Sequence, residues 1–269
     1  MRRHPQTGFG DGVGRLRRRR WGCIPLVLQL AGGCAGGDVT EYEIEVLRAL
    51  PHDSTAYTQG LVFHDRHFFE STGRYGESTL RRVDMTTGSV LESRALDENL
   101  FGEGLARVGD SLVQLTWKEG TAIVYSIPGL DSIGAFEYEG EGWGLCHDGS
   151  ALYMSDGSAT LTVRDPETFQ VTGTIPVTRN GFSARDLNEL ECVGDHIWAN
   201  VYMTDRIVQI DKRSGHVVGE VDAYALSLAS ERPADAGAVL NGIAYDAATE
   251  TFYLTGKLWS AMYEVRFLP

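Results

Sequence analysis

Sustained helical periodicity is largely missing from this sequence. Apolar residues seldom recur at the three- and four-residue spacing of an amphipathic helix, which excludes a helical bundle and leaves an all-β chain. Cysteine is scarce, with 4 in 269 residues, and no spacing suggests a zinc site. Positive charge is short as well: 24 Lys and Arg stand against 37 Asp and Glu, a net charge of −13. That balance argues against a nucleic-acid partner and is compatible with a cationic, amine-bearing substrate. Long apolar runs are also few. The stretch Trp21–Leu30, preceded by Arg17-Arg18-Arg19-Arg20, is too short to span a bilayer permanently and reads as the core of a secretory leader.

The leader is expected to occupy residues 1–33, and the rest of the chain, 34–269, to form one domain. Ala31-Gly32-Gly33-Cys34 resembles a bacterial lipoprotein box, with alanine where leucine is usual. The expected product is exported: a membrane-anchored lipoprotein lipidated at Cys34 or, after ordinary cleavage, a periplasmic or secreted protein. The mass of the mature amino terminus decides between them. Losing residues 1–33 removes seven arginines and one aspartate, taking −13 to −19. Cys146 and Cys192 would then remain besides Cys34. Two separate buried thiols are the expected state, with a disulfide as the alternative in an oxidising compartment. His64-Asp65-Arg66-His67 has the look of a metal ligand set but falls where a hairpin turn is expected.

Positive evidence for the fold comes from an internal repeat. Gly60, Gly104, Gly144, Glu189 and Gly242 each stand at the start of an apolar run, separated by 40 to 53 residues. Within each repeat the first run meets an Asp/Gly turn and a second run follows, as in Ser111–Thr116 or Ile197–Val201, rich in the residues that favour pleated structure. A third run alternates with period two, as in Thr121–Ile127 and Arg206–Asp211, and a fourth completes a four-stranded unit. The last repeat has no fourth strand of its own, whereas Tyr42–Leu50 is spare at the front. The spacing predicts a five-bladed β-propeller of four-stranded antiparallel blades, with the amino-terminal strand closing the last blade and removing its open edge.

In that architecture the starts of the first strands gather at one mouth. The candidates there are a carboxylate, Glu103; the amides Gln59, Asn188 and Asn241; an ammonium, Lys257; and the aromatics Tyr57, Phe101, Trp117, Trp143 and Tyr202. Glu103 sits between Gly102 and Gly104, which would let a small molecule approach its carboxylate closely. No Ser/His/Asp or Cys/His nucleophile is present among these residues, so any reaction should be one in which the substrate brings its own nucleophile.

The ordered set Ala56-Tyr57-Thr58-Gln59-Gly60-Leu61, Phe101-Gly102-Glu103-Gly104-Leu105, Gln114-Leu115-Thr116-Trp117, Gly142-Trp143-Gly144-Leu145, Leu187-Asn188-Glu189-Leu190-Glu191, Trp198-Ala199-Asn200-Val201-Tyr202 and Leu240–Asp246 through Leu254–Trp259 resembles the plant-type and bacterial glutaminyl cyclases over essentially the whole mature chain. The resemblance implies a five-bladed propeller that needs neither metal nor cofactor. It implies conversion of an amino-terminal glutamine of peptides or proteins to pyroglutamate, with release of ammonia; the chain itself is expected to be a monomer. Carried over residue by residue, it places proton transfer at Glu103, polar contacts at Gln59, Asn188 and Lys257, and cavity walls at Tyr57, Phe101, Trp117, Trp143 and Tyr202. Three positions depart from the pattern: Tyr57 stands where phenylalanine is usual, Tyr202 where tryptophan is typical, and Ser260 where proline is common. The first two keep an aromatic face and bear on side-chain preference more than on reaction class.

The chemistry is consistent with these residue types. In an amino-terminal glutamine the α-amine is tethered to its own γ-carboxamide, which removes much of the cost of orientation. One carboxyl, Glu103, can take a proton from the attacking nitrogen and return it to the departing one. Lys257 with the Asn188 or Gln59 amide can meet the charge growing on the carbonyl oxygen, and the aromatic faces can hold the incoming ammonium. Trp198 and Trp259 are expected to pack, Asn241 to be structural, and Glu189 and Glu191 to be rim or inter-blade partners. Two other functions compete: a calcium-dependent propeller hydrolase or lactonase, which would need several hard oxygen ligands where this mouth is rich in aromatics, and a noncatalytic propeller presenting a binding face.

Overall fold

The computed structural model of the chain describes residues 39–269. The expected leader and Cys34 lie outside the described residues. Four-stranded antiparallel meanders follow one another along the sequence, as the hairpin signals imply. Thr58–His64, His67–Thr72, Thr79–Asp84 and Val90–Ala95 form one, and Gly102–Val108, Ser111–Thr116, Thr121–Ser126 and Ser132–Glu137 the next. Leu145–His147, Leu152–Met154, Thr160–Arg164 and Val171–Pro176 form a third. Asp65 and Arg66, both at positive φ, make the tight turn of the first hairpin, so the flanking histidines belong to a strand connection.

Apart from the short hairpin of Thr178–Arg179 with Phe182–Ser183, the remaining strands form one eight-stranded sheet where separate four-stranded units were expected. Leu187–Val193, His196–Val201, Arg206–Asp211 and Val217–Asp222 lie in order, followed by the amino-terminal strand Thr40–Pro51, then Ala261–Leu268, Thr251–Gly256 and Leu240–Asp246. The spare front strand does pair antiparallel with the final strand, from Glu43 opposite Leu268 to Pro51 opposite Ala261. The sheet is continuous because that strand is longer than its partner requires. Its first residues, Thr40 to Tyr42, run parallel to Gly219–Val221 and cover the edge of the preceding unit.

The apolar cores lie between consecutive units. Phe69 and Leu80 pack with Leu105 and Leu112; Ala106 and Leu115 with Leu145 and Leu152; Cys146 and Leu161 with Leu187 and Ile197. Trp198 and Val221 pack with Ile243 and Trp259, and Leu61 and Phe68 with Ala244 and Tyr253. Each buried Val, Leu, Ile or Phe among them contributes roughly 1.5–3 kcal/mol, so the interfaces between units hold the molecule together. The result is an all-β, propeller-like fold. Trp198 and Trp259 are core residues, as expected. Cys146 and Cys192 are joined as a disulfide between successive innermost strands, which corrects the expectation of separate thiols. The correction has a simple cause: 46 residues separate them, about one repeat, so both fall on neighbouring innermost strands, where the sulfurs can meet.

Glycine recurs at the strand starts because the innermost strands touch there. A Cβ on Gly104 would lie 2.6 Å from the Gly144 carbonyl carbon, and one on Gly144 would lie 2.0 Å from the Asn188 oxygen. The glycines beside Glu103 therefore admit neighbouring backbone and not a ligand, a different role from the one expected of them.

Candidate active site

Four of the innermost strands carry a register irregularity at the same level: between Thr58 and Gly60, Gly102 and Leu105, Leu187 and Leu190, and Leu240 and Ile243. A bulge leaves residues unpaired and re-aims their side chains. The residues caught in these bulges include Gln59, Glu103, Asn188 and Asn241, the polar candidates of the sequence. Repeated local geometry thus converts a repeated strand start into a converging set of functional groups.

One cavity of about 250 Å³ is lined by Tyr57, Gln59, Phe101, Glu103, Trp117, Trp143, Asn188, Tyr202 and Lys257. These are the nine residues singled out from the sequence, brought together from seven segments of the chain. Asn241 does not line it. It is fully buried and donates through Nδ2 to the Thr58 carbonyl at 3.0 Å and to Gln59 Oε1 at 3.3 Å. Gln59 Nε2 in turn donates to Glu103 Oε1 at 2.9 Å. The series Asn241 to Gln59 to Glu103 fixes the carboxyl's orientation.

Glu103 is 5% exposed and Lys257 2%. Burial drives the Glu103 carboxyl well above the usual carboxylate range; the charge of Lys257 opposes this, while the carboxylates of Glu141 and Glu119 reinforce it. Burial likewise lowers Lys257 to about 8, with Glu103 pulling the other way. In both groups burial favours the uncharged form, the kind of displacement that marks residues able to exchange a proton.

The walls form a nearly continuous ring. Tyr57 meets Phe101 edge-on at 6.4 Å, Phe101 meets Trp117 at 5.5 Å, and Trp143 meets Tyr202 edge-on at 5.5 Å. Lys257 Nζ lies 4.9 Å from the Tyr57 ring centre and 5.1 Å from that of Tyr202, bridging the two tyrosines. Arg74 covers the Tyr57 ring at 4.6 Å and pairs with Asp235 at 3.1 Å.

Glu189 and Glu191 take different places. Glu189 is fully buried and spans two neighbouring strands, accepting from the Leu61 amide at 3.3 Å and the Ile243 amide at 2.8 Å. Glu191 lines a separate cavity with Arg107 and His147. Burial raises the proton affinity of both. Sequence reasoning passed over Glu119 and Glu141. The first accepts from Tyr75 Oη at 2.8 Å, and the second accepts from the indoles of Trp117 and Trp143. Their one visible signal was position, each within two residues of a wall tryptophan. Among the described residues no group of three His, Cys, Asp or Glu side chains is gathered as ligands for a metal ion.

The fold and the cavity define a class: a propeller-like protein whose axial mouth holds a buried acid and a buried lysine inside an aromatic ring. Comparison with known proteins narrows it. Residues 26–267 match the family model described as glutamine cyclotransferase, and the chain belongs to that family. It is 40% identical over 227 residues to a glutaminyl-peptide cyclotransferase of Arabidopsis thaliana, covering 83% of this chain and 71% of that one. The crystal structure of Myxococcus xanthus glutaminyl cyclase superposes with a TM-score of 0.81 at 38% identity, covering 86% of this chain and 98% of that one.

Proposed function

We propose that this chain is a glutaminyl-peptide cyclotransferase that closes an amino-terminal glutamine to pyroglutamate and releases ammonia, with Glu103 carrying the proton. The observation that supports it most is the convergence of nine residues on one cavity around a carboxyl whose proton affinity is raised by burial. The α-amine nitrogen attacks the γ-carboxamide carbon, and a carbon–nitrogen bond forms. Glu103 takes the proton that the attacking nitrogen sheds and delivers it to the amide nitrogen. The second carbon–nitrogen bond then breaks, and ammonia leaves. A carboxyl whose proton affinity burial raises is better able to return the proton to the leaving nitrogen.

Lys257, still largely cationic at neutral pH, and Asn188 are the donors for the oxygen that gains charge in the tetrahedral intermediate. Gln59 has a different part. Its Oε1 is held by Asn241 and its Nε2 is directed at Glu103, so it orients the acid. The aromatic ring encloses the aliphatic part of the glutamine side chain and excludes water. The architecture is read as five blades, supported by the five interface cores, the last of which joins the final strands to the first meander.

On this reading Glu103 and Lys257 supply the chemistry without a metal. The purified mature chain, treated with chelator and offered a glutaminyl peptide, should release ammonia and leave a blocked amino terminus. Activity lost with the chelator and regained with zinc or calcium would overturn the metal-independent part. Absence of any cyclisation would overturn the whole.

A further inference from the structure

The aromatic ring is joined by charged groups at two places. Lys257 stands between Tyr57 and Tyr202, and Glu141 stands between Trp117 and Trp143. One oxygen of Glu141, Oε2, accepts from Trp117 Nε1 at 2.8 Å and from Trp143 Nε1 at 3.0 Å. The other oxygen faces Lys118 Nζ at 3.6 Å, and that ammonium lies 3.6 Å from the Trp117 ring centre. The carboxylate is thus held by two indoles and an ammonium.

The two indole rings are already packed against neighbours. Phe101 packs on Trp117, and Tyr202 on Trp143. Gly157 also lies against Trp143, so close that a Cβ there would be 2.6 Å from the ring. Apolar contacts of this kind carry no direction and leave an indole some freedom to swing. A hydrogen bond at the ring nitrogen removes that freedom, and one to an ionised acceptor is the stronger kind.

We propose that Glu141 is a positioning residue for cyclisation: by clamping both indole N–H groups on one oxygen it fixes the wall against which the glutamine side chain folds back on its own amine. The inference rests on the cyclotransferase reading and extends it to a residue outside the cavity lining. Glu141 acts through the tryptophans and touches neither reacting atom. Its negative charge also adds to the proton affinity of Glu103, a separate influence that the choice of variants must distinguish.

The side chain of Glu141 is 40% exposed, so an indole N–H released by mutation would find water and the fold would lose little. Placement of the wall is what should suffer, and a displacement of about 1 Å can cost on the order of 10²-fold in rate. Glu141→Gln retains one oxygen able to accept from both indoles while discarding the charge; Glu141→Leu discards both.

The test measures kcat and KM on a glutaminyl peptide, together with the indole N–H resonances of the ¹⁵N-labelled protein, which has 5 tryptophans in the full sequence. In Glu141→Leu two indole resonances should move, KM should rise, kcat should fall, and kcat/KM should drop by roughly 10²-fold. Glu141→Gln should leave those resonances near their parental positions and restore kcat/KM to within about threefold of the parent. Parental kcat/KM in Glu141→Leu would overturn the proposal. So would an equal loss in both variants, which would make charge and not placement the cause. Should the parent itself fail to cyclise, the reaction reading falls, while the indole resonances still report whether the clamp exists.

Discussion

Two buried carboxylates in this molecule each lie near a cation, yet their proton affinities move in opposite directions. Glu70 is 2% exposed and Glu103 5%, so burial opposes ionisation at both. At Glu70 burial is outweighed: His52 Nε2 stands 2.9 Å away, Thr58 Oγ1 donates at 2.7 Å, and Arg81 adds positive charge, so the carboxyl falls below its usual range. At Glu103 burial prevails. Gln59 supplies a neutral donor, the Lys257 charge opposes burial incompletely, and Glu119 and Glu141 push further upward. Burial alone therefore does not mark a catalytic acid. The number and charge of the donors in contact do, and a pair that is fully satisfied has little left to offer a substrate.

The largest expected effect breaks the catalytic side of the comparison. Glu103→Gln keeps the shape and an oxygen that can still accept from Gln59, but it cannot carry a proton. Turnover should fall by about 10²–10⁴-fold with the far-ultraviolet circular dichroism unchanged. Lys257 should also titrate below its present value of about 8, because Glu103 is the influence that raises it. Near-parental kcat in this variant would show that another group moves the proton.

Much of the site was legible in the sequence because its residues stand where a repeated strand begins. Tyr57 and Gln59, Phe101 and Glu103, Trp143, and Asn188 all sit at or just before innermost strands, and the repeat spacing alone assigns them to one end of the axis. The turn chemistry of the hairpins was equally readable, since Asp and Gly at the strand ends have local conformational reasons to be there. The bulges were not legible: a bulge is a mismatch between two strands, and a single strand's residues do not declare it. The His52–Glu70 pair was passed over for a related reason. His52 follows the amino-terminal strand, and its Nδ1 meets the Trp259 carbonyl at 2.7 Å, a partner 207 residues away. The Cys146–Cys192 disulfide and the Glu141 clamp likewise join neighbouring units. Contacts between repeats depend on how the units pack, and the pattern within a repeat carries little of that information.

The second prediction breaks the structural side. Removing one partner of a buried ion pair leaves an uncompensated charge, at a cost of roughly 3–5 kcal/mol. Glu70→Gln should therefore unfold at a lower denaturant concentration, by about 3 kcal/mol near pH 6, with kcat per folded molecule close to parental. A variant as stable as the parent would mean that His52 is held by the Trp259 carbonyl without help from Glu70.

The smallest effect concerns pH and sharpens the same contrast. Burial lowers the proton affinity of His52, but Glu70 and the Trp259 carbonyl overcome it, so the imidazole ends above its ordinary 6.5. A raised imidazole stabilises the fold fully below its unfolded value and loses that contribution as pH climbs through its folded value. Glu70 is displaced the other way, below its ordinary 4.5, so its contribution is complete above that value and is lost as pH falls through the folded one. The two windows overlap between 4.5 and 6.5, where the ionised pair is most stabilising. The difference in unfolding free energy between the parent and Glu70→Gln, measured by urea titration across the pH range, should be greatest in that interval and shrink on either side. A difference that keeps growing into the alkaline range would contradict the assignment, because it would require a stabilising carboxylate with no need of a protonated imidazole.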